Sequence, residues 1–341
     1  MAKISLSVRY RPESFDDLTE QIAIKDILEN QIETKTFQHG YLFTGPSGTG
    51  KTTSARIFAN MINDGKGNPI EVDAASNSGV DNIRQIIEDA KRKPLDAEYK
   101  IFIVDECHSL SSGAWQALLK TLEEPPKFTI FIFCTTNPEK IPATILSRVQ
   151  RYNFQKISNE GIVDRLISII QQENDAFNNI HYDLDAIEYI AKVSSGGMRN
   201  AITLMDKCLS LSSNLTLENV LKTIGGEDYS TFITFLSALE EKEKEVSIKV
   251  VEDVYNAGKD VKQFMKDFSK FILEVEKYAL YKNFDYISLP NTLENELEHL
   301  IDDSLFDIMD FVVSLNNQIK WENDPKTLIE LSILIYCGKE D

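Results

Sequence analysis

The stretch "GPSGTGKT", residues 45–52, decides how this chain is read. It fits the pattern G-x-x-x-x-G-K-[S/T] and stands between a short apolar run, "YLFTG" (41–45), and a helical one, "KTTSARIFANMIN". A strand that turns through glycines into a helix aims several backbone N–H groups at one point, and the helix dipole adds positive potential there. Such a turn holds phosphate. The residues assigned to it are Gly45, Pro46, Ser47, Gly48, Thr49, Gly50, Lys51, Thr52 and Thr53. Lys51 reaches the β- and γ-phosphates of ATP, and Thr52 offers its hydroxyl to Mg²⁺.

Working outward, "IFIVDECH" (101–108) is an apolar strand that ends in a carboxylate pair. Asp105 is placed to hold Mg²⁺ with Thr52, and Glu106 to polarise the attacking water. The next strand ends in "CTTN", where Thr136 is a candidate sensor of the γ-phosphate or the water; Thr135 and Asn137 could do the same work. Arg199, in "SSGGMRNAI", opens a helix well beyond the sheet pattern. A cation on a separate lid can close over bound ATP and report its γ-phosphate.

These motifs lie in a strand–helix alternation. "IEVD" (70–73), "KIFIVDE" (100–106) and "FTIFIFCTT" (128–136) read as further strands, with "GVDNIRQIIEDAKR" and "SGAWQALLKTLEE" as helices between them. The alternation predicts an α/β P-loop domain, a parallel sheet with helices on both faces. From about residue 158 only helical patterns are expected, beginning with the stripe Ile162, Leu166, Ile169 and Ile170. The expected domains are 1–160, an ATPase domain; 161–225, a helical lid that ends near Gly225-Gly226; and 226–341, an all-α domain.

Composition limits the function. The 341 residues carry a net charge of −18, which argues against a protein that coats nucleic acid. The charge is uneven: residues 1–160 carry −2, residues 161–225 carry −3 and residues 226–341 carry −13. A local basic face in the first half therefore stays open to a phosphate backbone. No apolar run approaches the roughly 20 residues that cross a bilayer, so no membrane role is expected. The four scattered cysteines form no C-x-x-C pair and fit a reducing, cytoplasmic setting.

At this point the sequence resembles a known family. "VRYRPESFDDL", "HGYLFTGPSGTGKT", "VDAASNSGVDNIR", "VDECHSLSSGAWQALLKTLEEPP", "CTTNPEKIPATILSR" and "SGGMRNAI" follow the order and spacing of the bacterial DNA polymerase III gamma/tau subunit. That is the AAA+ ATPase of the sliding-clamp loader. The likeness is dense over residues 5–205 and weaker in the helical remainder, where "PKTLIELSILI" is similar to the family's collar helix. It implies a pentameric assembly with other loader subunits, a ring-shaped sliding clamp, primer–template DNA, and ATP hydrolysis that releases the clamp onto DNA. It implies that Arg148, in "ILSRV", is a finger offered in trans to a neighbour's ATP. It places Arg9, Tyr10, Arg11 and Pro12 near the adenine and makes Asn77, Ser78 and Arg84 candidates for DNA phosphate contact; the clamp contact stays open between the "SSGAWQALL" helix and the loops near the first strands.

The chain also departs from the pattern. Cellular members carry a four-cysteine zinc module before "DAAS"; here "ARIFANMINDGKGNPIEVDAAS" has no cysteine, so no zinc is expected. Val149 stands where the finger segment usually has Cys, and "TTN" replaces the commoner acidic-proline form. The likeness ends at the collar, without the tau tail. A compact, zinc-less form of this kind points to a viral or reduced replication system. Two rival readings meet obstacles in the sequence. A AAA+ branch-migration helicase would need a DNA-binding wedge, for which the acidic C-terminal third is unsuited. A non-hydrolysing structural subunit would lack the Lys51 or Asp105-Glu106 that this chain has.

Overall fold

The computed structural model describes residues 4–176, 179–224, 229–284, 287, 289–290, 293–301 and 305–338. The chain divides into two compact units, Met1–Leu215 and Thr216–Asp341. The expected lid boundary at Gly225-Gly226 lies outside the described residues.

The first unit opens with α1 (Leu6–Arg9) and α2 (Ile22–Thr34), then alternates: β1 (Gly40–Thr44), α3 (Lys51–Ile62), β2 (Ile70–Asp73), α4 (Val80–Ala90), β3 (Lys100–Asp105), α5 (Ser112–Glu123), β4 (Thr129–Thr135), α6 (Ala143–Leu146) and β5 (Gln150–Asn153). The strands pair in the order β2-β3-β4-β1-β5, and every pairing is parallel. β1 and β4 are buried along their whole length, as inner strands covered on both faces must be.

Alternation along each strand sorts side chains to the two faces. Tyr41, Phe43, Ile101, Ile103, Ile130 and Ile132 pack with Leu28 of α2 and Ala55 and Phe58 of α3. Leu42, Phe102, Val104, Phe131 and Phe133 pack with Ile83 of α4 and Trp115 and Leu118 of α5. On that second face Phe102, Phe131 and Phe133 form a stack, with centroids 5.2 and 6.0 Å apart. The parallel order brings the C-terminal ends of β1, β3 and β4 to one edge, where open α/β sheets bind ligands.

The same unit continues through α7 (Asn159–Asp175), β6 (His181–Tyr182), α8 (Leu184–Val193), α9 (Met198–Leu211) and β7 (Asn214–Leu215). Two strands were therefore not expected here: β6 and β7 form a parallel two-residue pair. They are too short to show alternation. β5 was not expected either; it is an edge strand whose residues, Tyr152 apart, are exposed, so it carries no apolar signal.

The second unit comprises α10 (Leu217–Ile224), α11 (Tyr229–Glu240), α12 (Lys244–Asn256), α13 (Val261–Tyr281), α14 (Glu294–His299), α15 (Leu305–Ile319) and α16 (Pro325–Tyr336). Phe232, Phe235, Phe264, Phe268 and Phe271 lock α11 onto α13. None of its described Asp or Glu residues is fully buried. No helix of the described residues is long and apolar enough to cross a membrane.

Truncation at the centre of the sheet has a measurable outcome. Phe131→Ala removes a fully buried ring from the stack and should cost about 3–5 kcal/mol. Trp115, buried against Phe133 at 5.4 Å, reports on the first unit, whereas Trp321 in the second is 82% exposed. Urea unfolding followed by the Trp115 fluorescence shift should show the lowered midpoint.

Candidate nucleotide-binding site

Lys51 starts α3 from inside the glycine-rich turn and is only 6% exposed. Its Nζ donates to the carbonyl oxygens of Gly45 (2.9 Å) and Pro46 (2.7 Å). Burial holds its ammonium below the ordinary lysine range. The turn tolerates no other backbone at two points. Gly45 has φ +141°, and a Cβ there would sit 2.3 Å from the Phe154 carbonyl oxygen. Gly48 has φ +77°, and its missing Cβ lets Gly197 approach; a Cβ would meet Gly197 Cα at 3.1 Å. Gly197 immediately precedes α9, so the phosphate turn and the start of that helix meet backbone to backbone.

The next residue along α3 ties the turn to the sheet. Thr52 Oγ1 donates to Asp105 Oδ2 at 2.9 Å. Asp105 Oδ1 in turn accepts from the Glu106 amide at 3.0 Å. Glu106 is left-handed, φ 45°, a costly conformation for a residue with a side chain and one that recurs at functional sites. The carboxylate of Glu106 accepts from Thr136 Oγ1 (3.2 Å) and lies 3.2 Å from His108 Nδ1. Asn137 Oδ1, 2.9 Å from Thr136 Oγ1, competes for the same single proton, whereas Thr135 is 3.0 Å from His108 and caps the Asn137 amide. Of the three candidate sensors, Thr136 is the one on the carboxylate.

A cleft of about 940 Å³, its open mouth included, covers this edge. Its lining brings together Tyr10, Arg11, Pro12, Ser47, Gly48, Thr49, Gly50, Lys51, Thr52, Thr53, Asp105, Glu106 and Arg199. Gly45 and Pro46 face the lysine rather than the cleft, and Thr136 acts behind Glu106. Burial, with the charges of Arg56 and Arg199 nearby, lowers the Arg11 pKa. That crowding of cations suits a polyphosphate. Thr52 and Asp105 offer hard oxygen donors side by side, which fits Mg²⁺: that ion takes one or two protein ligands and completes its shell with water and phosphate. Among the described residues no group of three or more His, Cys, Asp or Glu could hold a metal ion by itself.

Other candidates lie elsewhere. Arg148 does not line this cleft; its Nη2 pairs with Glu123 Oε1 at 2.6 Å, and its Nη1 donates to the Thr144 carbonyl at 2.6 Å. Arg9 turns away, pairing with Glu173 at 2.9 Å. Asn77 and Ser78 sit in the turn before α4, where Asn77 Nδ2 donates to the Asp73 carbonyl at 3.1 Å. Arg84, exposed on α4, pairs with Asp81 at 3.1 Å. The sequence reading missed His108, Arg165 and Glu173. Glu173 had a signal: it falls on the stripe of Ile162, Leu166, Ile169 and Ile170, and a buried carboxylate needs partners.

Comparison with known proteins adds descent to this geometry. A family model described as DNA polymerase III, delta subunit, matches residues 68–158. The DNA polymerase III tau subunit of Bacillus subtilis is 33% identical over 354 residues, covering 96% of this chain and 62% of that protein. The gamma subunit from Buchnera aphidicola is 36% identical over 242 residues, covering 64% of each. This chain is a DNA polymerase III gamma/tau homologue. The homologue spans 62% of the Bacillus subtilis relative and 53% of the Mycoplasma genitalium gamma/tau subunit, so the shared part is less than the whole of either. Among solved structures, the Thermotoga maritima RuvB Holliday junction branch migration motor matches with a TM-score of 0.52 at 21% identity, covering 67% of this chain and 79% of that one. That likeness is one of fold alone.

The strain at Gly45 gives a direct check on the turn. Gly45→Ala must move either the turn or the Phe154 carbonyl, and should destabilise the first unit by more than about 1 kcal/mol. Differential scanning calorimetry would read the lowered transition.

Proposed function

We propose that this gamma/tau homologue is the ATPase subunit of a DNA sliding-clamp loader, and that ATP binding and hydrolysis drive loading of a processivity clamp onto primer–template DNA. The observation that carries this reading is a division of labour. The cleft gathers Lys51, Thr52, Asp105, Glu106 and Arg199, while Arg148 does not line it and is held by Glu123. A site complete but for one cation, and a cation without a site, suit an assembly in which each subunit completes the next.

In this reading Lys51 and the amides of the turn bind the β- and γ-phosphates. Thr52 and Asp105 hold Mg²⁺, which supplies charge neutralisation on the phosphates. Glu106 accepts the hydrogen bond of the attacking water and polarises it, and Thr136 fixes the carboxylate for that task. Arg199 closes with the lid onto the γ-phosphate, and Arg148 meets the γ-phosphate of a neighbour. Tyr10, Arg11 and Pro12 wall the adenosine end, with Arg9 behind them. Asn77, Ser78 and Arg84 track the DNA backbone, a contact that reads shape rather than sequence.

The functional domains are 1–160 for hydrolysis, 161–225 for the lid and 226–341 for a collar that joins other loader subunits in a pentamer. The setting is cytoplasmic. A branch-migration motor shares the fold but not the gamma/tau descent, and a non-hydrolysing subunit would have no use for Lys51 and Glu106.

Mixing two single variants tests the division. Lys51→Ala and Arg148→Ala, each alone with primed DNA and partner subunits, should lose most ATP turnover; loss of a trans arginine costs about 10³–10⁵ in rate in related transfers. Mixed, they should recover a fraction of it, because some interfaces then pair an intact cleft with an intact finger. Full activity in Arg148→Ala alone, or no recovery between subunits shown to exchange, would sink the assignment. In a separate measurement, Glu106→Gln should keep ATP binding and lower turnover by about 10²–10⁴.

A further inference from the structure

The wall of the cleft formed by Tyr10, Arg11 and Pro12 belongs by sequence to the start of the chain. Its attachments, however, are to helices α7 and α9. Glu173, near the end of α7, is 2% exposed. Its Oε1 accepts from the Tyr10 hydroxyl and pairs with Arg9 Nη2 at 2.9 Å. Arg165, two turns earlier on the same helix, lines the cleft and donates from Nη2 to the Tyr10 carbonyl at 3.3 Å. The amide of Leu6, at the start of α1, donates to Asp206 Oδ2 of α9 at 3.0 Å. Three side chains from two helices thus hold one short segment.

We propose that Glu173 is a positioning residue of the nucleotide site: it fixes Arg9 and Tyr10 so that the adenosine wall travels with α7 and α9 rather than with the phosphate turn. The inference rests on the nucleotide reading above and adds a task to it. A buried carboxylate costs free energy unless charged and hydrogen-bonded partners surround it, so Glu173 holds its partners in one geometry. The partnership also keeps Tyr10 a donor, since burial and the Glu173 carboxylate push its hydroxyl up to about 12. The phosphate turn is held separately, by Lys51 and by Thr52 on Asp105. The two ends of one ligand are therefore gripped through different elements of the first unit, α7 and α9 at one end and the phosphate turn at the other.

The separation of the two grips supplies the test. A fluorescent ATP analogue is titrated onto the full chain and competed off with ATP and with inorganic tripolyphosphate, which has phosphates and no base. Glu173→Gln should weaken ATP by about tenfold, the worth of one charged hydrogen bond, and leave tripolyphosphate unchanged. Tyr10→Phe, which spares the Glu173–Arg9 pair, should give a selective loss of ATP no larger than that of Glu173→Gln. The double variant should be no worse than the poorer single one, because both remove the same contact. Equal losses for ATP and tripolyphosphate, no loss of ATP, or additive losses in the double variant would each overturn the proposal. Wild-type protein that binds neither ligand would overturn the nucleotide reading itself, a distinct result.

Discussion

An ammonium group buried beside two backbone carbonyls sets the terms for the rest of the first unit. Lys51 keeps only 6% of its surface exposed, and in this structure the carbonyls of Gly45 and Pro46 accept its hydrogen bonds. For those carbonyls to turn inward the chain must curl through left-handed backbone at Gly45, Gly48 and Gly50. For the curl to sit at the mouth of the sheet, β1 must end at Thr44 and run parallel to β4 and β5. Both faces of β1 must then be covered, which the interleaved aromatic and aliphatic rows achieve. A phosphate arriving in the cleft replaces weak carbonyl dipoles with full negative charge, so the ammonium is held ready at some cost in stability. The marginal stability of proteins makes that cost significant and explains why so much packing surrounds one lysine.

Much of this could be read in advance, and the reasons differ by element. The three inner strands, β1, β3 and β4, were legible because burial on both faces demands continuous β-branched and aromatic runs. β5 was not, because Gln150, Arg151 and Asn153 face outward on a sheet edge and only Tyr152 is buried. The phosphate turn and the Asp105-Glu106 pair were legible because their chemistry fixes residue type and spacing together. The tie between Glu173 and Tyr10 was not, because its partners lie 163 residues apart and no local pattern joins them. Residue type alone also left three candidate sensors open, and geometry distinguishes them: Thr136 touches Glu106, whereas Thr135 turns to His108.

The cleft is walled by two sets of elements that approach each other where neither has side chains. Gly48 and Gly197 meet backbone to backbone, so no interlocking of rotamers resists sliding or tilting at that seam. Stiffness comes instead from polar contacts around it, such as Leu6 on Asp206 and Tyr10 on Glu173. Polar contacts of this kind are directional and few, which suits parts that must settle into defined positions.

Helix α5 follows Glu106 after one short turn and ends at Glu123, whose carboxylate holds Arg148. Its 12 residues make a rod about 18 Å long. One end stands beside the carboxylate of this subunit's own cleft, the other beside the cation proposed for the neighbour's. Such a rod couples its two ends in both directions: a change at the carboxylate of the cleft is felt at Arg148, and by linkage whatever engages Arg148 is felt at the carboxylate.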